Sequence, residues 1–445
     1  MSMTTTYTGV RIVDMPDLGA FSSDSSIVGE HAGSGRFSAA ALEAYFSLVI
    51  ATWSNTGRSL QDRFADAINV RDYGAVADGV TDDTAAIQAA INAAQTAGRR
   101  LHFPGTAQFY LTSAALSVVH PLDIGGDYGG AIIKTSSPTQ NIFTLASVDV
   151  SMHDLKLDAT VPRTAGDYVN ISSGGDVKIE RVVFRNHISG IKLAGSISTI
   201  DIANCYFYQP TASTGVGITV SGGVDVAIRG CLMSAAGTSP QPLAGIVING
   251  CGDCTLQDIN TVQHYSGLLI NPQAGQIVDC VYASDCFFDT SDGYGLQVIP
   301  AGTGAVERSR FIGCWFSSHG IDGVILTGTG AIRGMEFHGC HALANGNSGW
   351  ILGNGSGLTL TGCQAAGNTT AGVSVTAAGL SDFTITGCTL GPYGNFGANG
   401  TGLFITTGAS DHFIVANNRM YGNTTNQFLN GATGTHTVVT PNLVA

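Results

Sequence analysis

Two groups of side chains in the second half of the chain have the types and spacing needed for chemistry on a sugar polymer. The first group lies in turns that we expect to face outward, just before Gly-aliphatic stretches. Its proposed catalytic members are Asp289, Asp292, Asp322, His264 and His319. Tyr265 beside them is a proposed sugar contact. Carboxylates about 5 Å apart suit a retaining glycosidase, and about 9.5 Å suits an inverting one. One acid would protonate the leaving oxygen, the other would attack or activate water, and an imidazole would tune either pKa. Ordinary turn-forming residues are the alternative.

The second group surrounds a repeated Cys position and is expected to face outward and bind substrate. Its members are Tyr206, Trp315, Arg310, Arg333, Glu336, His338 and His341. Aromatic faces stack on the apolar side of sugars, and guanidinium groups pair with uronate carboxylates. In a polysaccharide lyase, Arg310 or His338 would be the base and Arg333 would neutralise the substrate carboxylate. A trimer interface is an equal alternative, because interfaces are also enriched in aromatic residues and Arg.

These side chains are positioned by a repeat of 23 to 30 residues between Leu155 and Asn418. Short alternating apolar stretches end at one position that is most often a cysteine: Cys205, Cys231, Cys286, Cys314, Cys340, Cys363 and Cys388. A Gly followed by alternating aliphatic residues, as in Gly245-Ile246-Val247-Ile248, recurs in step with it. Two patterns that share one period of this length indicate a solenoid. Because the units hold period-2 strands and no helical periodicity, the sequence predicts an all-β parallel β-helix of about ten coils, stacked about 4.8 Å apart.

The composition fits a long apolar solenoid and excludes several partners. The chain has 445 residues, 60 of them Gly, and is 44% hydrophobic and 11% charged, which excludes a disordered chain. A net charge of −13 without a Lys/Arg run argues against nucleic acid and anionic membranes. We expect no signal peptide and no membrane insertion. The repeated Cys should form a buried, reduced stack, and the lone Cys251-x-x-Cys254 does not make a zinc site, so no metal or cofactor is predicted.

The segment from Asn69 to Ile91 is the most specific signature in the chain. It reads as a strand, a Gly turn and a helix, and His102-Phe103-Pro104-Gly105 begins the next strand. Asp78, Asp82 and Asp83 fall at turn and cap positions, so we interpret them as structural and not as a catalytic cluster. The helix is expected to cover the open end of the solenoid.

This segment, with Leu60-Gln61-Asp62 leading into Asp72-Tyr73-Gly74-Ala75, resembles the entry motif of the pectate-lyase-like superfamily, in the form found in phage tailspikes and tail-associated depolymerases. The resemblance covers residues 60–105 by motif and 106–430 by architecture. It implies a right-handed parallel β-helix, usually homotrimeric, that binds and often cleaves bacterial surface polysaccharide. It also implies a place in the virion tail after synthesis in the host cytoplasm.

Three regions are predicted. Residues 1–67 form an N-terminal virion-anchoring and trimer-assembly segment that contacts other tail proteins, 68–430 form the β-helix, and 431–445 form a C-terminal tail. The polygalacturonase motifs of the superfamily are absent, since Ser318-His319-Gly320 is the nearest match to Gly-His-Gly. We predict a polysaccharide depolymerase that acts by glycoside hydrolysis with paired Asp residues. A non-enzymatic receptor-binding or structural virion protein and a polysaccharide lyase are the alternatives.

Overall fold

The chain divides into two units, residues 1–68 and 69–445. The computed structural model describes residues 65–209, 214–237, 239–439 and 441–444, together with the backbone of four short strands before them. In the first unit, β1 (Ile27–Val28) pairs antiparallel with β2 (Arg36–Phe37), and β3 (Leu48–Ile50) pairs antiparallel with β4 (Gly57–Ser59). The rest of the predicted anchoring segment lies outside the described residues, so its role and its partners stay predictions.

A short strand at the boundary of the two units is followed by two helices. β5 (Ala67–Asn69) and a 3-10 helix (Val70–Tyr73) lead into α1 (Thr84–Ala97). α1 buries Ile87 and Ile91, together with Ala90 and Ala94, against the first coil. The predicted capping helix is therefore present, and it shields the apolar interior at that end.

The three Asp residues before α1 have the structural roles that the sequence predicts. Asp78 Oδ1 accepts the N–H groups of Val80 and Thr81, and Asp82 Oδ1 accepts the N–H of Thr84. Asp83 is buried, and its carboxylate accepts the N–H of Val76 and the N–H of Leu111. It thereby links the two segments that contain these residues. Their carboxylates are thus engaged by backbone donors.

Each full coil contributes one strand to each of three parallel sheets, which we call A, B and C. Sheet A contains β6 (Arg100–Phe103), β9 (Leu122–Gly126), β12 (Val150–His153), the second half of β14 (Asp167–Glu180), β17 (Ile197–Ala203), β20 (Val224–Arg229), β23 (Cys254–Gln257), β27 (Val281–Ser284), β31 (Arg310–Ile312), β35 (Glu336–His338), β38 (Leu358–Thr361), β41 (Ser381–Thr386), β44 (Asp411–Ala416) and β47 (Thr437–Val439). Sheet B contains β7 (Tyr110–Thr112), β10 (Ile132–Thr135), β13 (Lys156–Ala159), β15 (Val183–Arg185), β18 (Tyr206–Gln209), β21 (Leu232–Ala235), β24 (Asn260–Val262), β28 (Phe287–Asp289), β32 (Trp315–Ser317), β36 (His341–Leu343), β39 (Gln364–Ala366), β42 (Thr389–Leu390), β45 (Arg419–Met420) and β48 (Leu443–Val444). Sheet C contains β8 (Leu116–Val118), β11 (Phe143–Ala146), the first half of β14, β16 (Ser189–Leu193), β19 (Val216–Ser221), β22 (Ala244–Gly250), β25 (Ser266–Ile270), β29 (Tyr294–Val298), β33 (Val324–Leu326), β37 (Ser348–Leu352), β40 (Ala371–Val375), β43 (Thr401–Gly408) and β46 (Asn426–Ala432).

The architecture is the predicted right-handed parallel β-helix, with about 13 turns. The sequence predicts about ten, because the first coils lack both repeat patterns. β7 and β10 pair in register ahead of β13, although neither is preceded by a Cys. The predicted tail also ends differently. β47 pairs with β44 and β48 pairs with β45, so residues 437–439 and 441–444 continue the solenoid.

The interior is a set of side-chain stacks. The seven repeated Cys lie at the bend from sheet A to sheet B, and all are buried, as predicted. Phe288 stacks on Phe316 with ring centroids 5.4 Å apart, and Phe311 stacks on Phe337 at 5.2 Å. Inward positions of neighbouring strands therefore form continuous apolar columns. No helix in the described part of the chain is long and apolar enough to cross a membrane.

A polar stack lies at the bend from sheet B to sheet C. The Asn345 amide donates to Asn368 Oδ1 at 2.8 Å, Asn368 donates to Asn399 at 2.8 Å, and Asn399 donates to Asn423 at 3.1 Å. His319 lies one coil before this asparagine ladder, and its backbone N–H donates to Asn345 Oδ1. The ladder satisfies buried amides one coil after another.

Candidate functional site

A groove on the solvent face of sheet A collects several of the predicted substrate contacts. β27, β31 and β35 pair in parallel, which places Tyr282, Arg310 and Glu336 in one outward column. These side chains, with Arg308, line a groove of about 270 Å³. Neighbouring strands lie about 4.8 Å apart, so the column offers one side chain per coil to a long ligand.

Glu336 is the centre of the polar contacts in this groove. Its Oε2 accepts from Arg310 Nε at 2.8 Å and lies 3.0 Å from His338 Nε2. The hydrogen bond from His338, together with that from Arg310, lowers the pKa of the Glu336 carboxyl. Glu336 is therefore ionised at neutral pH, and it suits the role of a partner for a cation.

A small extra sheet, formed by β26 (Ile277–Asp279), β30 (Ala305–Glu307) and β34 (Ala331–Arg333), adjoins the groove, because the lining residues Arg308 and Gly334 directly follow β30 and β34. Arg333 Nη1 donates to Glu307 Oε1 at 2.8 Å, and Arg308 pairs with Asp279. Guanidinium groups and carboxylates thus alternate across this surface. Each guanidinium carries five donors, so donors remain for a ligand carboxylate or hydroxyl.

The predicted catalytic histidines do not face solvent. His264 and His319 are both buried, and burial lowers the pKa of His264 to about 4 and that of His319 to about 3. His264 Nε2 contacts Gln209 Oε1 at 3.2 Å, and His319 Nδ1 accepts the N–H of Ser291. The expectation that both face a groove is wrong, because this bend points its His and Asn side chains inward.

The three predicted catalytic carboxylates differ in exposure. Asp292 is exposed, Asp289 is half-buried, and Asp322 is buried with its Oδ1 accepting from Ser348 N–H and the Asn347 amide. Burial raises the pKa of Asp322, and the two hydrogen bonds oppose that rise. The outward orientation expected for Asp322 is therefore wrong, while Asp292 does face solvent.

Tyr265 lies beside this bend and remains accessible. It packs edge-on against Tyr294 with ring centroids 5.9 Å apart. Burial raises the pKa of Tyr294, and the charge on Asp322 adds to that rise. Tyr265, Tyr294 and Asp322 thus form a second, smaller cluster at the edge between sheets B and C.

An aromatic platform occupies the outward face of sheet B. Phe287, Trp315 and His341 pair in register on β28, β32 and β36, and Trp315 stacks on His341 with centroids 5.3 Å apart. Phe396 packs against Trp315, and Tyr393 packs against His341. The outward direction predicted for Trp315 and His341 is confirmed, since both are partly exposed. Tyr206 stands in the same column, but three coils before Phe287.

Sequence reasoning missed four aromatic residues. Tyr282 lines the groove, Tyr294 contacts Tyr265, and Tyr393 and Phe396 complete the platform. The register itself could have found Tyr282, because it precedes Arg310 by one coil. Arg308 also lines the groove.

The comparisons with known proteins agree with this architecture. A family model described as rhamnogalacturonase A/epimerase, pectate lyase-like, matches residues 67–393. The chain belongs to this family. The resemblance to the pectate-lyase-like superfamily is therefore confirmed, and the matched residues include the whole groove on sheet A.

Relatives of this pectate lyase-like chain include sugar-polymer enzymes. It is 30% identical over 141 residues to the mannuronan C5-epimerase AlgE2 of Azotobacter vinelandii. The matched stretch covers 26% of this chain and 14% of that enzyme. The chain thus spans a small part of the length of that relative.

Solved tailspike structures share the fold of this family member. Tailspike protein 3 of bacteriophage CBA120 has a TM-score of 0.67 and 16% identity, over 88% of this chain and 64% of that protein. A mutant tailspike protein of E. coli bacteriophage HK620, in complex with a hexasaccharide, has a TM-score of 0.59 and 11% identity. The match covers 82% of this chain and 78% of that protein.

Proposed function

We propose that this protein is a tailspike-like polysaccharide depolymerase of a phage tail, and that it binds a bacterial surface polysaccharide along the groove of sheet A. The observation that carries the proposal is the convergence of Tyr282, Arg310 and Glu336 on one open, solvent-facing groove, with His338 in contact with Glu336. The tailspike fold and the hexasaccharide bound to one such tailspike support a glycan ligand.

The groove is best suited to a glycan that contains uronate. Arg310 and Arg308 present guanidinium donors, which pair with a planar carboxylate by two parallel hydrogen bonds. The phenol of Tyr282 offers a ring for an apolar sugar face and a hydroxyl for a sugar oxygen. The named substrate of the epimerase relative, mannuronan, is a polyuronate and supports this class of ligand.

We propose elimination as the cleavage reaction, because the groove holds an ionised carboxylate beside an imidazole. With its Nε2–H donated to Glu336, His338 keeps a lone pair on Nδ1 that can remove the C5 proton of a uronate. Glu336 would stabilise the imidazolium that forms, and Arg310 or Arg333 would stabilise the negative charge on the substrate carboxylate. The bond from C4 to the bridging oxygen then breaks and leaves a C4–C5 double bond, and the departing oxygen becomes a hydroxyl by taking a proton from the imidazolium or from water.

Glycoside hydrolysis at Asp289, Asp292 and Asp322 is the second candidate. It is favoured by burial, which raises the pKa of Asp322 in the direction that a general acid needs, and by the exposure of Asp292 in the bend one coil earlier. The burial of Asp322 and its hydrogen bonds to Ser348 and Asn347 weigh against direct contact with a polymer.

The test uses mannuronan and a panel of acidic capsular polysaccharides, with ultraviolet absorbance for the unsaturated product and a reducing-end assay for total cleavage. His338→Gln should lower the elimination rate by about 100-fold or more, the usual effect of losing a general base. His153→Gln is the matched control, since His153 lies on the outward face of the same sheet and also contacts a carboxylate, that of Asp154.

Each outcome of this test is informative. Reducing ends without an unsaturated product would replace elimination by hydrolysis and direct attention to Asp292 and Asp322. Saturable binding without either product would favour a receptor-binding protein. Equal loss in His338→Gln and His153→Gln would remove His338 from the proposed role.

A further inference from the structure

Three side chains of metal-ligating type meet on the last coils of the solenoid, away from the groove. They are Asp411, His412 and His436, and their ligand atoms all lie within 4.8 Å of one another. His436 Nδ1 lies 3.0 Å from Asp411 Oδ2, and His412 Nδ1 lies 3.5 Å from the same oxygen. One carboxylate oxygen therefore stands between two imidazole nitrogens.

The solenoid register brings these residues together from two coils. Asp411 begins β44, and His436 directly precedes β47, the strand that pairs with β44 in parallel. His412 has a φ of +50°, which bends the strand start and turns its ring toward the next coil. The two imidazole rings stack with centroids 4.6 Å apart and planes 13° from parallel.

The carboxylate is fixed independently of its contacts to the rings. Asp411 Oδ1 accepts the backbone N–H of His436 at 2.6 Å, which leaves Oδ2 directed at both Nδ1 atoms. Both histidine side chains are about two-thirds exposed, so an ion would reach the site without desolvating the interior.

We propose that Asp411, His412 and His436 form a binding site for a divalent transition-metal ion of the zinc class. Two imidazole nitrogens and one carboxylate oxygen are the donors that Zn²⁺, Co²⁺ and Ni²⁺ accept, whereas Ca²⁺ and Mg²⁺ prefer oxygen ligands alone. The ion would take the place of any proton carried by either Nδ1, and water would complete its coordination.

An ion held by these residues would link β47 to β44, its neighbouring strand in sheet A. β47 contributes exposed Val438 and is followed by exposed Leu443 and Val444, so this end of the solenoid has little covering surface. A ligand that binds the native state alone stabilises it by an amount that grows with the logarithm of its concentration above Kd. We therefore expect the ion to raise the midpoint of thermal unfolding of the terminal coils.

The test is a titration of metal-free, full-length protein without a polyhistidine tag. Co²⁺ binding is followed by its visible absorption and Zn²⁺ binding by calorimetry, with excess Mg²⁺ present to occupy oxygen-only sites. One equivalent should bind, and Zn²⁺ should raise the unfolding midpoint. His412→Ala and His436→Ala should each weaken binding about tenfold or more, the scale seen when ligand shells are disturbed.

Two further variants make the result specific. Asp411→Asn keeps an oxygen for the His436 N–H, so it should fold normally yet bind metal more weakly. His120→Ala removes an exposed histidine far along the chain and should leave binding unchanged. Absence of saturable binding, or equal affinity in wild type and both histidine variants, would overturn the proposal. Weakened binding in His120→Ala to the same extent would show adventitious surface binding and also overturn it.

Discussion

His338 Nε2 lies 3.0 Å from Glu336 Oε2, and the two side chains project from the same face of one short strand, β35. Period-2 alternation places residues i and i+2 on one face of a strand, so this pair is set by local geometry. Arg310, one coil earlier, reaches the same oxygen of Glu336. The proposed base, its charge partner and a cation are thereby held together on a rigid sheet, which suits a positioned group better than a mobile loop does.

Arg310→Lys should raise KM for an acidic polysaccharide about tenfold, with a smaller effect on turnover. Lysine keeps the charge but loses the forked donor geometry that holds Glu336 and a substrate carboxylate together. Steady-state kinetics on the polymer that the enzyme cleaves best would measure this split. Arg229→Lys is the matched control, because Arg229 pairs with Asp201 on the same sheet outside the groove.

Asp322→Asn should leave cleavage unchanged if the groove of sheet A is the active site. An Asn side chain can still accept the Ser348 N–H that Asp322 Oδ1 accepts now, so the variant should fold. Reducing-end release would be compared for wild type, Asp322→Asn and Asp292→Asn. A loss of about 100-fold in either variant, with binding retained, would instead place a hydrolytic pair at the edge between sheets B and C.

The fold could be predicted from the sequence because both repeat patterns recur once in each coil of the solenoid. The Cys position and the Gly-aliphatic strand recur together, so the register of Arg310 with Glu336 follows from their spacing of one coil. The first coils carry neither signal, and β10 pairs with β7 without them. Local spacing therefore undercounts coils wherever ordinary aliphatic residues fill the stack.

The direction of side chains in the bends could not be read in the same way. Residues between sheets B and C follow no period-2 alternation, so nothing local says that His319 points inward while Asp292 points outward. His319 is placed by its neighbour in the asparagine ladder, Asn345, one coil later. A stack across coils decides the orientation, and only an alignment of the bends in register could have suggested it.

Trp315→Ala should weaken binding of the polysaccharide about tenfold while leaving the oligomeric state unchanged, if the aromatic platform is a sugar subsite. Removal of the indole deletes a stacking surface shared with His341 and Phe396. Affinity and sedimentation would be measured in parallel. Tyr128→Ala, which removes another exposed aromatic ring, is the control. Dissociation of an oligomer with affinity per subunit preserved would assign the platform to a subunit interface.

Asn368→Ala should lower the free energy of unfolding by about 2–4 kcal/mol. The amide of Asn368 accepts from Asn345 and donates to Ala342 O and Asn399 Oδ1, all in buried positions. Truncation would leave buried donors and acceptors unpaired. Urea unfolding would measure the loss, and Thr369→Ala, at the exposed neighbouring position, should change stability by less than about 0.5 kcal/mol. Equal losses in the two variants would mean that the ladder adds no specific stability.

Asp154→Asn should destabilise the protein at neutral pH and not near pH 2. Asp154 accepts from Arg181 Nε and Nη2 at 2.7 and 2.8 Å, and from His153 Nδ1 at 2.8 Å. The hydrogen bond from Arg181, with help from that of His153, lowers the pKa of Asp154 to about 2 from its ordinary 3.8. A carboxyl with a lowered folded-state pKa stabilises the fold above its unfolded-state pKa and loses that contribution as pH falls through the folded value.

The expected difference between wild type and Asp154→Asn is about 1 kcal/mol at pH 7, since Arg181 is partly exposed and solvent screens the pair. The difference should stay constant down to about pH 5 and then shrink toward zero near pH 2. Urea unfolding at a series of pH values would measure it. Asn tolerates the left-handed backbone that Asp154 adopts, and Asp149→Asn, at an exposed site of the same conformation, is the control. A difference that persists unchanged at pH 2 would assign the loss to packing and not to the carboxylate charge.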